Sequence, residues 1–176
     1  MIFTETKLAG AYVIEPERLE DERGFFARTF CAETFAERGL ATEFPQCSIS
    51  FNMVKGTLRG MHYQKPPHAE AKIVRCTMGT VQDVVVDMRR DSPTFLKWLS
   101  VELSAENRRM LYIPKGFAHG FLTLHDKTEM NYQISERQES SAATGLRYND
   151  PSLGIDWLGP VIVLAERDRL YPDIEI

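Results

Sequence analysis

The sequence lacks the features that mark membrane, secreted and disulfide-stabilised proteins. No apolar run is long enough to span a bilayer, and the segment Met1–Lys7 has no hydrophobic signal core. The three cysteines are an odd number with no Cys-x-x-Cys pair, which is typical of reduced thiols. These absences predict a soluble, cytoplasmic protein that does not contact a membrane.

The sequence also lacks an excess of basic residues. Lys and Arg number 21 against 25 Asp and Glu, for a net charge of -4, which argues against nucleic acid as a partner. There is no internal repeat, linker or low-complexity tract. With 176 residues, 43% of them hydrophobic and 26% charged, the chain is predicted to form a single domain spanning residues 1–176.

Short β-branched and aromatic segments separated by turn residues dominate the chain. The strongest is Val81–Met88, and one short helix is expected at Ala32–Arg38, ending at Gly39. Other expected elements are strands at Ala9–Ile14, Phe25–Phe30, Phe95–Leu103, Met110–Ile113, Phe117–Leu124 and Thr128–Ile134, an exposed loop at Glu136–Thr144 and a helical turn at Leu164–Arg169. This spacing favours an antiparallel sandwich or barrel.

Cationic side chains are concentrated in two strand-like segments, 57–64 and 72–76, joined by a loop containing Pro66 and Pro67. Arg59, His62 and Lys72 stand among apolar neighbours, and strand alternation turns some of them inward. Buried cations are costly without a compensating anion. The segment therefore predicts a site for a negatively charged small molecule.

A tight turn at Asp126-Lys127 would pair the segments on either side as a hairpin. In that register Phe121 opposes Tyr132 and His119 opposes Ile134. His119, Phe121 and Tyr132 would then share one face, which suits the wall of a ligand site.

Two chemistries fit these residues, and the first is metal binding. The segment Pro114–His119 resembles the second motif of the cupin barrels, and Gly60–His62 with His68 and Glu70 loosely resembles the first. A metal cupin places two histidines two residues apart, but the residue two after His62 is Gln64. A metal site is therefore disfavoured.

The second chemistry is proton abstraction next to a carbonyl group. It requires a base, a cation that stabilises the enolate, and an acid on the opposite face. His62, Lys72 and Tyr132 are suitable residue types, and Asp168 is a candidate for orienting the histidine. The spacing alone does not place Asp168 beside it.

Several longer motifs resemble one family, the dTDP-4-dehydrorhamnose 3,5-epimerases. They are Gly56–Gln64, Lys72–Arg75, Asp91–Phe95, Glu102–Arg109, Ile113–Phe121 and Asp150-Pro151. The resemblance covers residues 21–168 and implies a mainly β, double-stranded β-helix (cupin-like jelly-roll) fold with a few short helices. It also implies a homodimer that needs no cofactor and epimerises dTDP-4-keto-6-deoxyglucose at C3 and C5, giving dTDP-4-keto-rhamnose.

The resemblance implies roles for individual residues. His62 resembles the base, Asp168 the carboxylate that orients it, Tyr132 the acid, and Lys72 the cation near the C4 oxygen. Arg23 resembles a diphosphate ligand that reaches in from the neighbouring subunit. The full set of implied substrate-binding residues is Arg23, Phe26, Gln46, Ser48, Arg59, His119 and Arg167.

Three positions depart from the family pattern, all on the nucleotide side. Gln138 stands where a tyrosine commonly stacks on thymine, and Ala143 and Arg28 replace acidic residues. The nucleobase and the choice between C3 alone and both carbons therefore stay open. A metal-dependent cupin oxygenase or isomerase and a non-catalytic sugar-binding barrel are the more distant alternatives.

Overall fold

The fold is described from a computed structural model that covers residues 1–174, and it consists mostly of short antiparallel strands. Within these residues no helix is long and apolar enough to cross a membrane. The two helices are α1 (Ala32–Ala36) and α2 (Glu166–Arg169). The strands are β1 (Ile2–Glu5), β2 (Tyr12–Glu15), β3 (Arg18–Asp21), β4 (Gly24–Ala27), β5 (Gln46–Asn52), β6 (Thr57–Gln64), β7 (Lys72–Met78), β8 (Thr80–Asp87), β9 (Trp98–Ser104), β10 (Met110–Ile113), β11 (Phe117–Thr123), β12 (Thr128–Ile134), β13 (Ala143–Gly145) and β14 (Val163–Leu164).

Two six-stranded sheets face each other, as in a jelly roll. The first has the order β1-β2-β10-β7-β12-β5, and the second the order β13-β6-β11-β8-β9 with β14 added beside β6. The hairpin β3–β4 forms a separate two-stranded sheet. The predicted fold class, a mainly β double-stranded β-helix with a few short helices, is confirmed.

The space between the two sheets is filled by residues that alternate along each strand. On β8, Val81 and Val85 point inward, whereas Val84 and Val86 pack on the outer face. The inner cluster consists of Leu8, Ala11, Val74, Cys76, Val81, Val85, Leu103, Leu111, Ile113, Phe117, Phe121 and Met130. Burial of these side chains holds the two sheets together.

Each sheet is covered on its outer face as well. Helix α1 packs the fully buried Phe35 against β10 and β7 of the first sheet, where it meets Tyr112 and Ile73. On the second sheet, Leu146 and Leu153 cover Met61 of β6 and the outward valines of β8. Because both faces are covered, the strands are more apolar than those of a half-exposed sheet.

Most element positions agree with the sequence predictions, and the differences have local causes. The strand expected from Phe95 begins at Trp98, because Leu96 adopts a positive φ of 61° that breaks the extended chain. The strand expected at Phe25–Phe30 ends at Ala27. The loop expected at Glu136–Thr144 ends earlier, because Ala143 pairs with Gln64.

The predicted hairpin of β11 with β12 is wrong. β11 pairs with β6 and β8, whereas β12 pairs with β5 and β7 in the other sheet. The connecting segment crosses between the sheets, and Leu124 and Lys127 donate hydrogen bonds to Thr80 and Met53. Phe121 and Tyr132 are therefore on facing sheets. The segments 57–64 and 72–76 are likewise divided between the two sheets.

Candidate functional site

One end of the space between the sheets opens into a cavity of about 620 Å³. Residues of both sheets line it, together with the chain segments that close one end of the sandwich. The predicted site residues found in this lining are Gln46, Ser48, Arg59, His62, Lys72, His119, Tyr132, Arg167 and Asp168. The structure therefore brings together nine of the eleven residues proposed from the sequence.

An extra residue in β6 brings Arg59 and His62 to the same wall of the cavity. His119 pairs with His62 and Phe121 pairs with Arg59, so β6 uses three steps where β11 uses two. Such a bulge reverses the alternation of side chains. Gly60 makes it possible, because a Cβ atom there would lie 2.5 Å from the Cα of Gly120.

His62 and Asp168 form a hydrogen-bonded pair although they lie 106 positions apart in the chain. The Nε2 atom of His62 is 2.7 Å from Oδ1 of Asp168, and the backbone N–H of Gly60 donates to Oδ2 at 3.2 Å. Helix α2 holds the carboxylate, which is 2% exposed. When Nε2 donates to Asp168, Nδ1 is left with a free electron pair, as a general base requires.

The carboxylate of Asp168 is ionised despite its burial. Burial alone would raise its pKa, but the hydrogen bond and charge of His62, the Gly60 N–H and the nearby Arg167 together lower the pKa below its usual value. The Nε atom of Arg167 lies 3.4 Å from Oδ1. An ionised carboxylate in this position would stabilise a protonated His62.

Lys72 lies on the opposite sheet from His62 and is almost fully buried. Its Nζ atom is 2.9 Å from Oε1 of Glu70 and donates to the backbone carbonyl of His62 at 3.3 Å. Lys72 thus has an ion-pair partner and a hydrogen-bond partner within the protein. Lys72 also lines the cavity, so its ammonium group can donate to an oxygen atom there.

Tyr132 faces the cavity from β12, and its ring lies 5.9 Å from that of His119 between centroids. Burial raises the pKa of Tyr132, and the carboxylate of Asp83 raises it further, while Arg59 opposes the change. The phenol therefore keeps its proton at neutral pH. Tyr132 thus places a protonated phenol on the wall opposite His62.

His119 belongs to a second histidine–carboxylate pair that is more deeply buried than the first. Its Nε2 atom lies 2.9 Å and 3.1 Å from the two oxygens of Asp83, and the two side chains are 4% and 0% exposed. Burial raises the pKa of Asp83, against the lowering effects of His119 and Lys72. The carboxylate fixes the orientation of the His119 ring.

The other predicted binding residues divide into two groups. Gln46 and Ser48 line the cavity from β5, and the Oε1 atom of Gln46 accepts the backbone N–H of Gln138 at 2.9 Å. Gln138 and Ala143, the two departures in this region, also line the cavity. Arg59 is held by Asn52, whose Oδ1 accepts from Nε at 2.8 Å.

Arg23, Phe26 and Arg28 are not among the residues that line the cavity in residues 1–174. Arg23 is exposed at the turn of the β3–β4 hairpin and pairs with Asp21. Phe26 is 72% exposed on the same hairpin. Most of its ring therefore faces solvent.

No group of three or more His, Cys, Asp or Glu residues is arranged to hold a metal ion anywhere in residues 1–174. His62 and His119 are paired in the register of β6 and β11, but each ring is hydrogen-bonded to its own carboxylate. Each of these two histidines thus has a carboxylate partner.

Comparison with known proteins assigns the sequence to one family. The family of dTDP-4-dehydrorhamnose 3,5-epimerases matches residues 5–175. The chain belongs to this family. The dTDP-4-dehydrorhamnose 3,5-epimerase of Methanothermobacter thermautotrophicus is 43% identical over 170 residues, which are 95% of this chain and 91% of that protein.

Crystal structures of family members have the same fold. The epimerase of Elizabethkingia anophelis superimposes with a TM-score of 0.95 at 41% identity, covering 98% of this chain and 96% of that one. The epimerase of Bacillus anthracis, with TDP and PPi bound, has a TM-score of 0.94 at 38% identity, covering 98% and 99%. The protein is accordingly an isomerase of the epimerase type.

Sequence reasoning missed several residues of this epimerase-family site, chiefly Asp83 and the pairing role of Glu70. Asp83 interrupts a run of valines on β8, where an inward position must have a partner. Tyr171 was also missed. Its ring lies 6.2 Å from that of His62, in space left by Gly145, where a Cβ atom would approach the ring to 2.4 Å.

Proposed function

We propose that this protein epimerises a nucleotide-linked 4-keto-6-deoxy sugar at C3 and C5, converting dTDP-4-keto-6-deoxyglucose to dTDP-4-keto-rhamnose. The observation that supports it most strongly is the His62–Asp168 pair on one wall of the cavity, with protonated Tyr132 on the other. A base and an acid on opposite walls are what inversion at carbon requires. The epimerase domain is proposed to span residues 1–176.

The first step is removal of a proton next to the C4 carbonyl group. His62 takes the proton from C3, and the C–H electron pair forms the C3–C4 double bond as the carbonyl electrons move to the C4 oxygen. Lys72 is proposed to stabilise that enolate oxygen, because it presents a buried ammonium group to the cavity. Asp168 stabilises the resulting imidazolium.

The second step returns a proton to the opposite face of the same carbon. Tyr132 donates its phenolic proton as the C4 carbonyl re-forms, which leaves a phenolate and an imidazolium. One proton must then pass to the phenolate, and one must leave His62, before the next turnover. The same groups can act at C5 when the sugar is bound in a slightly different position.

The nucleotide diphosphate is proposed to lie along β5, near Gln46 and Ser48, with Arg59, His119 and Arg167 among the binding groups. We propose that the protein works as a cytoplasmic homodimer in which Arg23 and Phe26 complete the neighbouring subunit's cavity. The exposure of both side chains on the β3–β4 hairpin supports this arrangement.

The decisive experiment is NMR of a dTDP-4-keto-6-deoxyglucose incubation in deuterated water. We expect deuterium at both C3 and C5 of the product. Exchange at C3 alone would indicate a 3-epimerase, and no exchange at either carbon would indicate a binding protein and overturn the proposal.

The reaction as proposed uses no metal ion or other cofactor, since His62, Lys72 and Tyr132 supply the base, the cation and the acid. We expect full activity after exhaustive chelation. Stoichiometric bound metal, with activity lost on chelation and restored on its return, would instead support a metal-dependent cupin activity.

A further inference from the structure

Gln64 lines the cavity and binds neighbouring chain segments through its side-chain amide. It ends β6, two residues after His62, and is 7% exposed. Its Nε2 atom donates to the backbone carbonyls of His68 at 2.8 Å and Arg137 at 3.2 Å. Its Oε1 atom accepts the backbone N–H of Glu139 at 2.6 Å. One amide group thus binds two separate chain segments.

The two segments are the connections that close this end of the sandwich. His68 belongs to the link between β6 and β7, and Arg137 and Glu139 belong to the link between β12 and β13. Gln138, between the two contacts, lines the cavity. Without Gln64, the backbone groups of Arg137 and Glu139 would lose these partners, and the segment would move more freely.

We propose that Gln64 is a positioning residue for the nucleotide end of the site. It holds residues 137–139 against β6, so that the cavity wall carrying Gln138 is ordered before the nucleotide binds. The inference rests on the proposed function for the identity of the ligand. The ordering of this wall lowers the conformational cost of binding, so its effect falls on affinity and not on proton transfer.

The chain supplies a matched control in Gln82. This residue is 1% exposed on β8, and its amide group also binds three partners. Its Nε2 donates to Asp156 O at 2.7 Å and Ser100 Oγ at 3.1 Å, and its Oε1 accepts Leu158 N–H at 2.7 Å. Gln82 does not line the cavity. Gln82→Met therefore removes the same chemistry at a site remote from the ligand.

The experiment measures dTDP affinity, KM and kcat for wild type, Gln64→Met and Gln82→Met. We expect Gln64→Met to weaken dTDP binding and raise KM about tenfold, which is 1.4 kcal/mol, with kcat within roughly twofold of wild type. Gln82→Met should match wild type in affinity. Equal losses of affinity in the two variants, or a fall in kcat with unchanged affinity, would overturn the proposal.

Hydrogen exchange provides a test that does not depend on a foldable Gln64→Met protein. In wild type without nucleotide, we expect the amide of Glu139 to be protected, and Gln64→Leu, which removes the acceptor of that N–H, to exchange faster there. Fast exchange in unliganded wild type would overturn the proposal. If wild type fails to bind dTDP, the proposed function fails, whereas protection of Glu139 still reports on the Gln64 contacts.

Discussion

The two ends of the space between the sheets are built on the same strands but differ in chemistry. On β7 the inward residues change from Cys76 and Val74 to Lys72, and on β12 they change from Met130 to Tyr132. The apolar end is closed by dispersion and hydrophobic contacts. At the polar end, each buried charged group has a hydrogen-bonded partner, as Lys72 has in Glu70.

This difference shows how one scaffold separates stability from chemistry. Burial of apolar side chains at one end supplies the free energy that holds the sheets in register. The other end can then keep ionised groups out of water. Burial of such groups destabilises a fold unless they are paired. Substitutions at the polar end should therefore lower mainly the reaction rate. Substitutions at the apolar end should lower mainly the free energy of unfolding.

The largest effect is expected from removing the proposed base at the polar end. His62→Ala should lower the rate by about a hundred- to ten-thousand-fold, because general-base catalysis contributes that much. NMR in deuterated water should show loss of exchange at both C3 and C5. Asp168→Asn should give a smaller loss, because the base stays but its orienting charge is removed. Near-normal exchange in His62→Ala would show that another group is the base.

The second expected effect distinguishes the two walls of the cavity. Tyr132→Phe should lower formation of inverted product by roughly a hundredfold, while deuterium exchange at C3 persists, because abstraction and redelivery use different groups. The free energy of unfolding should change little, since the ring stays packed against the inner cluster. Product formation at the wild-type rate would assign the acid to another residue or to water.

A substitution at the apolar end should lower the free energy of unfolding and leave kcat unchanged. Leu103 is fully buried on β9, away from the cavity lining. Leu103→Ala should reduce the free energy of unfolding by about 2–5 kcal/mol, as buried leucine truncations do, with kcat unchanged below the melting temperature. Urea denaturation and steady-state kinetics on the same preparation measure both quantities. A proportional loss of kcat would show that the two ends are not independent.

The smallest effect concerns the nucleobase. Wild type should discriminate among dTDP, UDP, CDP and GDP by less than about a hundredfold, or 2.7 kcal/mol, because Gln138 offers an amide where a ring would stack. Gln138→Tyr should gain roughly two- to tenfold for dTDP, since an aromatic pair contributes about 0.5–1.5 kcal/mol beyond burial. Competition binding measures both. A stronger preference in wild type would mean that another residue stacks on the base.

Local patterns predicted the strands well and their sheets poorly. Met110–Ile113 and Thr128–Ile134 were predicted with the observed bounds, because alternation and turn residues are properties of adjacent positions. The predicted pairing of β11 with β12 was wrong. A short turn can connect strands of two different sheets as well as two adjacent strands of a hairpin. That distinction depends on the partners of Leu124 and Lys127, which are distant in sequence.

The residues of the candidate site were likewise predicted better than the contacts between them. The family resemblance proposed Asp168 as the partner of His62, and only the fold places α2 beside β6. The pairs Asp83–His119 and Glu70–Lys72 were not predicted, since a buried charge can be inferred from its position but its partner cannot. Gly60 within a strand was a readable sign of the bulge, yet its effect on side-chain direction needed the register with β11.

The bulge in β6 shifts the alternation of side chains along the strand by one residue. Arg59 precedes the bulge and His62 follows it, and both side chains face the cavity. They are three residues apart, whereas regular alternation places side chains on the same face two or four residues apart. Deleting one residue at this point would restore regular alternation and turn either Arg59 or His62 out of the cavity. The composition of the strand would be nearly unchanged, yet Arg59 and the proposed base His62 could no longer face the same bound molecule.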